Sequence, residues 1–346
     1  MLVVDDSILM RRIISDMINE ATDMEVIDTA KNGLELIEKI NMINPDVVTL
    51  DVEMPKMDGL EVLKTFKEKN IHTPVIMLSS LSKKGAEITM KCLELGALDF
   101  ISKPSGSISL DITSLQDELI YKIRCAGEKR EINKNNSFKV MHKPRIEKSK
   151  LSNNERDYGE YKALVIGAST GGPKAIHSLI TSLPKELGVP VFIVQHMPAG
   201  FTKAFADRLN NNSKLDVVEA SHMSEITNNK VYIAPGGYHM EINNENKITL
   251  NGEPTLWGVR PAVDKLFISA SKVYGKGVIS VVLTGMGRDG AKGTEMIKDA
   301  GGYTISEHQS TCTIYGMPKA AYDTGRVDEV LPLHDIPAKL LALLKR

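Results

Sequence analysis

The chain has 346 residues, a length that favours two domains over a single core. Its 42% hydrophobic and 25% charged residues are typical of a soluble globular protein, and the formal net charge of −1 gives no general attraction to nucleic acid or anionic membranes. Three widely spaced cysteines argue against a disulfide framework and a cysteine zinc site. No apolar run reaches the ~18 residues that span a bilayer, and the N-terminus lacks a signal-peptide pattern, so the prediction is a cytoplasmic protein without membrane insertion.

Charge is distributed unevenly along the chain. Residues 1–123 hold 13 Lys and Arg against 21 Asp and Glu, residues 124–160 hold 10 against 6, and residues 161–346 hold 20 against 17. The middle segment is rich in Lys, Asn, Glu and Ser and poor in bulky apolar residues, which is typical of a flexible linker. The predicted organisation is therefore an acidic domain at 1–123, a linker at 124–160 and a near-neutral domain at 161–346.

The first predicted domain alternates short apolar runs with amphipathic segments of helical length. The runs "MLVV", "MEVIDTA", "DVVTL", "PVIML" and "LDFIS" are separated by segments with apolar residues at three- and four-residue spacing. Five such β-α units predict a five-stranded parallel sheet with helices on both faces.

Five polar residues fall just beyond the predicted strands of this domain. Any one of them is readily interpreted as a cap or a solvated charge, but all five mark the edge of the sheet where ligands bind in open parallel folds. Three converging carboxylates repel each other unless a cation neutralises them, and oxygen ligands in that number suit Mg²⁺. The five residues are Asp5, Asp6, Asp51, Ser79 and Lys103.

The motifs "VVDDS", "LDVEMPKMDGLEVL", "VIMLSS" and "ISKP" resemble those of the receiver domain of two-component response regulators. The resemblance implies a flavodoxin-like fold in which Asp51 accepts a phosphoryl group and binds Mg²⁺ together with Asp5 and Asp6. Phosphorylation would bias a two-state surface through residues that sense the phosphoryl oxygens and through an aromatic switch residue. These three residues are Ser79, Lys103 and Phe100.

The second domain resumes the alternation of strands and helices. Apolar runs in "YKALVIG", "VPVFIVQ", "KGVISVVLTG" and "GGYTIS" predict buried strands. Residues 215–256 hold shorter strands and turns, which indicate a small antiparallel insertion. The prediction is a doubly wound, mostly parallel α/β domain with helices at 173–183, 200–210, 261–273, 290–300 and 334–345.

A glycine-rich turn, "GASTGGPKA" at 167–175, follows the first of these strands. It fails as a Walker A loop because Pro173 stands in the lysine position and Ala175 in the Ser/Thr position. It fails as a dinucleotide fingerprint because Ser169 replaces the second glycine. It does fit G-x-S-x-G, which exposes a serine hydroxyl at a strand-to-helix turn, although a structural Gly-Ser-Gly turn is an equal alternative.

A nucleophilic serine needs a base and an orienting carboxylate. His196 directly follows "PVFIVQ", and Asp289 lies in the glycine-rich "LTGMGRDGAKG" after another apolar run, so both fall at strand ends with Ser169. Asp207 and Asp264 fall on predicted helices and are interpreted as solvated or capping groups. Three further histidines stay open as candidates from sequence: His222, His239 and His308.

The chain order Ser, His, Asp differs from that of α/β-hydrolases. With "GASTGG", "QHMPAGFTKAFADRLN", "YIAPGGYHM" and "LTGMGRDGAKG", it resembles the catalytic domain of the chemotaxis protein-glutamate methylesterases, the CheB family. The resemblance implies that Ser169 is the nucleophile, His196 the general base and acid, and Asp289 the residue that orients the imidazole. Thr170 and Met286 are the implied oxyanion and positioning residues.

The same resemblance implies the reaction, its regulation and its partners. The substrates would be glutamate γ-methyl esters and certain glutamines of chemotaxis receptors, hydrolysed without a cofactor, and a chemotaxis histidine kinase would phosphorylate the receiver. We further expect the unphosphorylated receiver to cover the catalytic cleft. Two alternatives are a response regulator whose second domain binds DNA, for which the chain shows no basic face, and a catalytically inactive interaction module.

Overall fold

The computed structural model describes residues 1–103, 112–136 and 161–344. Residues 1–103 and 112–136 form a five-stranded parallel sheet flanked by helices, as predicted. The strands are β1 Leu2–Val4, β2 Asp28–Ala30, β3 Val48–Asp51, β4 Val75–Ser79 and β5 Asp99–Ser102, in the order β2-β1-β3-β4-β5. The helices are α1 Ile8–Asn19, α2 Gly33–Ile43, α3 Gly59–Glu68, α4 Lys83–Leu95 and α5 Ile112–Asn136.

The starts of these helices follow from local sequence. Ser7, Asn32 and Ser82 each accept a backbone N–H of the first turn, and Asp58 forms a capping box with Glu61. These caps place each helix directly after the loop that follows a strand. The polar residues of those loops therefore meet at one edge of the sheet.

The fifth helix differs from the predicted organisation. Helix α5 continues through residue 136, past the predicted domain end at 123. The first part of the predicted linker is thus helical, and the remainder, residues 137–160, lies outside the described residues. The domain boundaries stay a prediction.

The second unit is built on a seven-stranded parallel sheet with the order β14-β13-β12-β6-β7-β9-β8. Its strands are β6 Ala163–Ala168, β7 Val191–Gln195, β8 Asp216–Glu219, β9 Lys230–Ile233, β12 Val278–Val282, β13 Tyr303–Glu307 and β14 Glu329–Leu331. An antiparallel pair, β10 His239–Ile242 and β11 Ile248–Asn251, forms a small insertion, as predicted. The insertion is smaller than the predicted range 215–256, because β8 and β9 of that range pair in parallel within the main sheet. The helices are α6 Gly172–Ser182, α7 Phe201–Asn212, α8 Val263–Tyr274, α9 Ala291–Asp299, α10 Met317–Asp323 and α11 Ile336–Leu344.

The five predicted helices of this unit begin and end within two residues of the predicted bounds. Two short elements, α10 and β14, were not predicted. Each is brief and carries little periodicity: β14 has three half-buried residues, and α10 has seven residues that begin at Met317 and Pro318. Their formation depends on the neighbouring strand β13, on which both pack.

Helix α4 of the first unit packs against α6 and α7 of the second. Phe100 on β5 stacks on Phe201, with 4.5 Å between the ring centroids, and Glu94 forms an ion pair with Arg208. Beside these contacts lies a cleft of about 450 Å³, lined by both units. The receiver-like unit therefore rests on two helices of the second unit.

Candidate active site

A histidine and a carboxylate meet at the strand ends of the second sheet. His196 follows β7 directly, and its backbone N–H donates to the carbonyl of Ala168 at the end of β6. Its Nε2 lies 2.8 Å from Asp289 Oδ2, in the loop after β12. An ionised carboxylate only accepts hydrogen bonds, so Nε2 carries the hydrogen and Nδ1 is left as the acceptor nitrogen of a neutral ring.

Backbone N–H groups at the start of helix α8 hold the Asp289 carboxylate in place. Its Oδ2 accepts the backbone N–H of Val263 over 2.6 Å, and its Oδ1 accepts that of Asp264 over 2.8 Å. The carboxylate is only 2% exposed. Backbone donors at a helix start stabilise a buried negative charge, so the Asp289 carboxylate is fixed in place against His196.

Ser169 occupies the turn between β6 and α6. Its backbone N–H donates to Thr284 over 3.0 Å, and its carbonyl accepts the N–H of Gly172 over 2.7 Å. Gly171 has a φ of +77°, and a Cβ there would lie 2.4 Å from the side chain of Thr313. The glycine is thus required both by the left-handed backbone and by the close approach of Thr313. Helix α6 then begins with Pro173 in its first turn, as the motif predicts.

The loop after β12 joins the serine to the histidine–carboxylate pair. Near its start, a Cβ on Gly285 would lie 2.8 Å from Ser169 Cβ, and near its end Asp289 binds His196. The structure therefore gathers all three residues at adjacent strand ends. Among the described residues, Ser169 Oγ makes no hydrogen bond to His196, and catalytic hydrogen bonds of this kind commonly tighten only when substrate binds.

The two predicted oxyanion residues flank this arrangement. Thr170 is buried, and its carbonyl accepts the hydroxyl of Thr284 over 3.0 Å. Met286 is exposed and directly follows Gly285 in the loop after β12. Thr170 follows Ser169 in the chain, and Met286 follows Gly285, which lies against Ser169. Their part in binding an oxyanion stays a prediction.

The interpretation of Asp264 as a solvated group is wrong, whereas the alternative of a capping group is confirmed, because Asp264 accepts N–H groups at the start of α9 and not of its own helix. Asp264 is 2% exposed, and its Oδ1 accepts the N–H groups of Gly290 and Gly293 over 3.0 and 2.7 Å. Its Oδ2 accepts the indole N–H of Trp257. Burial and the charge of Asp289 raise the pKa of Asp264. Periodicity placed this residue correctly on a helix, but only tertiary packing turns it toward the loop that carries Asp289.

Gln195 was also missed by sequence reasoning. It is the last residue of β7, is buried, and its Nε2 donates to the carbonyls of Ser169 and His196 over 2.9 and 3.2 Å. One amide thereby ties the serine turn to the histidine. The only signal in the sequence was a polar residue at the end of an otherwise apolar run.

The three histidines left open from sequence have structural hydrogen bonds. His239 is fully buried and lies between the carbonyl of Pro254 and the N–H of Ala262. His222 accepts the N–H of Leu250, and His308 accepts that of Ser310. None of these bonds involves Ser169 or Asp289, so His196 is the histidine that the fold places at the site.

A second site lies at the strand ends of the first sheet. One ligand atom from each of Asp5, Asp6 and Asp51 lies within 4.8 Å of the others. Lys103 Nζ contacts Asp5 Oδ2 at 2.7 Å and Asp51 Oδ2 at 2.8 Å. Burial raises the pKa of Asp51 to about 6, against the opposing effect of Lys103. This cluster of carboxylate oxygens fits the coordination chemistry of Mg²⁺.

The other predicted switch residues connect this site to the second unit. Ser79 is buried at the end of β4, and its Oγ accepts the hydroxyl of Thr89 on α4 over 2.7 Å. The backbone N–H of Lys103 donates to the carbonyl of Ser79. Phe100 is buried against Phe201, five residues beyond His196. Phe100 thus reaches the first residue of α7 directly, and Ser79 reaches α6 and α7 through α4, which packs on both.

Comparison with known proteins decides the family. A profile described as CheB methylesterase matches residues 164–340, and one described as response regulator receiver domain matches residues 1–112. The chain belongs to the CheB methylesterase family. A Clostridium acetobutylicum member, named protein-glutamate methylesterase/protein-glutamine glutaminase, is 51% identical over 99% of this chain and 97% of its own length.

Other relatives extend this result. A Pyrococcus abyssi protein of the same name is 46% identical over 97% of this chain and 91% of its own length. The crystal structure of the Thermotoga maritima CheB methylesterase catalytic domain is 44% identical, with a TM-score of 0.52, over 53% of this chain and 98% of that one. Among the helices that the structure describes in this CheB-family chain, none combines the length and the apolar character that a membrane crossing requires.

Proposed function

We propose that this protein is a phosphorylation-regulated serine esterase of chemotaxis, which hydrolyses glutamate γ-methyl esters on chemoreceptors and deamidates specific receptor glutamines. The observation that carries the proposal is the 2.8 Å contact between His196 Nε2 and Asp289 Oδ2, beside a turn that presents Ser169. Membership of the CheB methylesterase family and the names of its relatives support the substrate class.

The proposed chemistry is acyl transfer through Ser169. His196 Nδ1 takes the hydroxyl proton as Oγ attacks the γ-carbonyl, and the imidazolium then protonates the departing methanol, or ammonia when the substrate is a glutamine. Asp289 stabilises the imidazolium without itself taking the proton. Water then attacks the carbonyl carbon of the glutamyl-serine ester while His196 takes its proton. His196 returns that proton to Ser169 Oγ as the ester bond breaks, which releases glutamate and restores the free serine.

The negative oxygen that forms during attack needs fixed donors. Helix α6 begins three residues after Ser169, but its Gly172 N–H donates to the Ser169 carbonyl and Pro173 has no N–H, so the donors must lie elsewhere in the turn. We assign oxyanion binding to the backbone around Thr170 and Met286. Ordered donors of this kind are each worth about 10² to 10³ in rate.

The receiver is the proposed regulator of this site. Asp51 is the proposed phosphoacceptor, and Asp5, Asp6 and Asp51 would hold Mg²⁺, which when bound neutralises charge around the incoming phosphoryl group. Lys103 and Ser79 would then turn toward the phosphoryl oxygens. Because Ser79 binds Thr89 on α4, and α4 packs on α6 and α7, this movement would loosen the receiver from the catalytic unit.

The decisive experiment is methanol release from a methylated chemoreceptor fragment. We expect Ser169→Ala to lower turnover by about 10⁴-fold or more while Asp51 is still phosphorylated by acetyl phosphate. Retained turnover would exclude the serine mechanism, whereas a wild-type chain without turnover would favour the interaction-module alternative.

Regulation is tested separately from chemistry. Asp51→Asn should keep the basal rate and lose its stimulation by acetyl phosphate and Mg²⁺. A fragment of residues 161–346 should exceed the unphosphorylated full chain. Equal rates of the fragment and the full chain would contradict covering of the site by the receiver.

A further inference from the structure

Arg288 lies at the mouth of the candidate active site. The loop that carries it is buried at Gly285, where an added Cβ would meet Ser169. The loop is buried again at Asp289, whose carboxylate binds His196. Arg288 itself is exposed between these two anchors. A loop that touches the nucleophile at one end and the base at the other holds its exposed residues at the entrance between them.

Trp257 fixes the position of this arginine. The Arg288 guanidinium lies 4.9 Å from the centroid of the Trp257 ring, and the indole N–H donates to the buried Asp264 over 3.1 Å. Trp257 has a φ of +56°, an unusual backbone for so large a side chain. A guanidinium that lies over an aromatic ring can still donate its N–H groups to a planar anion. The arginine is therefore preorganised before any ligand arrives.

The charge of Arg288 is not neutralised by the protein. Within residues 1–103, 115–127 and 161–344, Arg288 forms no ion pair, whereas Lys265 on α8 and Lys292 on α9 each pair with a glutamate. The indole face contributes only the attraction of its quadrupole. A guanidinium without an ion-pair partner, held over an indole ring beside the candidate active site, can bind a carboxylate through two parallel hydrogen bonds.

We infer that Arg288 is a substrate-binding residue that takes a carboxylate side chain close in sequence to the scissile ester. The enzyme would thereby prefer acidic segments of its protein substrate. The inference rests on the proposed esterase function and names a specificity for the same site. The ligand proposed for Arg288 is a carboxylate on a substrate residue near the ester and not the carboxylate of the product. The product carboxylate forms at Ser169, whereas Arg288 lies on the exposed part of the loop after β12.

The test compares two methylated chemoreceptor fragments with the full-length, phosphorylated chain. One fragment has acidic residues within four positions of the ester, and in the other these residues are Ser. Wild type should hydrolyse the acidic fragment with a kcat/KM about two-fold to five-fold higher, a preference that shrinks at high salt. Arg288→Gln should abolish the preference, and Arg288→Lys should keep part of it.

Trp257 supplies a second readout, because it is the only tryptophan in the chain. With Ser169→Ala and fragments that lack tryptophan, the acidic fragment should bind more tightly and change the Trp257 fluorescence. Arg288→Gln should remove that difference in affinity. Arg326→Gln is the matched control, since it removes an equivalent charge from an arginine that pairs with Asp299 and should leave the preference intact.

The outcomes separate the two levels of the proposal. Equal kcat/KM on both fragments with wild type would overturn the role of Arg288 alone. An equal loss on both fragments in Arg288→Gln would also overturn it, since that pattern indicates a disturbed Asp289. Arg288-dependent affinity for the hydrolysed Ser-flanked fragment would assign the arginine to the product instead. Hydrolysis of neither fragment by wild type would overturn the esterase function itself.

Discussion

The backbone N–H of Asp264 donates to Asp289 Oδ1 over 2.8 Å, and the two carboxylates are both buried. Asp264 in turn accepts the N–H groups of Gly290 and Gly293, which follow Asp289 in the chain. The start of α8 and the loop after β12 are thus joined by reciprocal hydrogen bonds, in which each segment supplies both a backbone donor and a carboxylate acceptor. A second buried carboxylate therefore holds the loop from which Asp289 contacts His196.

The Asp264→Ala variant should lose both stability and activity. It leaves the N–H groups of Gly290 and Gly293 without acceptors, which we expect to lower the free energy of unfolding by about 2–4 kcal/mol. Urea unfolding followed by Trp257 fluorescence measures this, since the indole binds Asp264 directly. Asp264→Asn keeps one acceptor oxygen and should recover most of the loss. Equal stability of wild type and Asp264→Ala would contradict the locking role.

The charge on Asp264 should make stability depend on pH in a defined direction. Burial and the charge of Asp289 raise its pKa above 3.8, so its folded form prefers the proton. The favourable contribution is complete below pH 3.8 and is lost as the pH rises through the higher folded value. Asp264→Asn cannot ionise, so its stability relative to wild type should improve as the pH rises. A difference that stays constant with pH would exclude this.

Gly285→Ala should inactivate the enzyme by displacing Ser169, the proposed nucleophile. The new Cβ would lie 2.5 Å from Met317 Sδ, 2.8 Å from Ser169 Cβ and 2.9 Å from the backbone nitrogen of Ser169. Misplacement of a reacting group by about 1 Å can cost about 10² in rate, so we expect at least that loss in methanol release. Gly252→Ala, which would meet nothing within 4 Å, is the matched control. A second substitution, Met317→Ala, should not restore activity, because the contact with Ser169 remains.

Gln195→Ala should lower kcat by about ten-fold while leaving the fold intact. The amide donates to the carbonyls of Ser169 and His196, and each lost hydrogen bond is worth about 1 kcal/mol. Gln195→Glu should be worse, because an acceptor would then face two carbonyl oxygens. Gln309→Ala, at an exposed position, serves as the control. Unchanged kcat in Gln195→Glu would show that this tie does not position the site.

The ion pair between Glu94 and Arg208 should restrain the unphosphorylated enzyme. Reversal of either charge alone, Glu94→Arg or Arg208→Glu, should weaken the contact between α4 and α7 and raise basal methanol release by about two-fold to five-fold. The double reversal rebuilds the pair with opposite polarity and should return the rate to that of wild type. Single variants with an unchanged basal rate would argue against an inhibitory contact here.

Sequence alone determined the elements and their strand-end residues. Hydrophobic periodicity located the first parallel sheet, the four central strands of the second and its five predicted helices, because buried strands and amphipathic helices leave regular patterns. The residues Ser169, His196 and Asp289 were identified because each directly follows an apolar run or lies in a glycine-rich turn after one. In a parallel sheet, residues that follow the strands lie at the same edge, because the carboxyl ends of all the strands point there.

The tertiary structure determines which side chains support the residues at that edge and which residues join the two units. Asp264 and Gln195 sit in ordinary helical and strand patterns, and only packing turns their side chains toward the catalytic residues. The pairing of Arg288 with Trp257 joins residues from separate loops, and the stacking of Phe100 on Phe201 joins the two units. Periodicity encodes which face of an element is buried, but not which partner buries it, so these contacts follow from the three-dimensional arrangement alone.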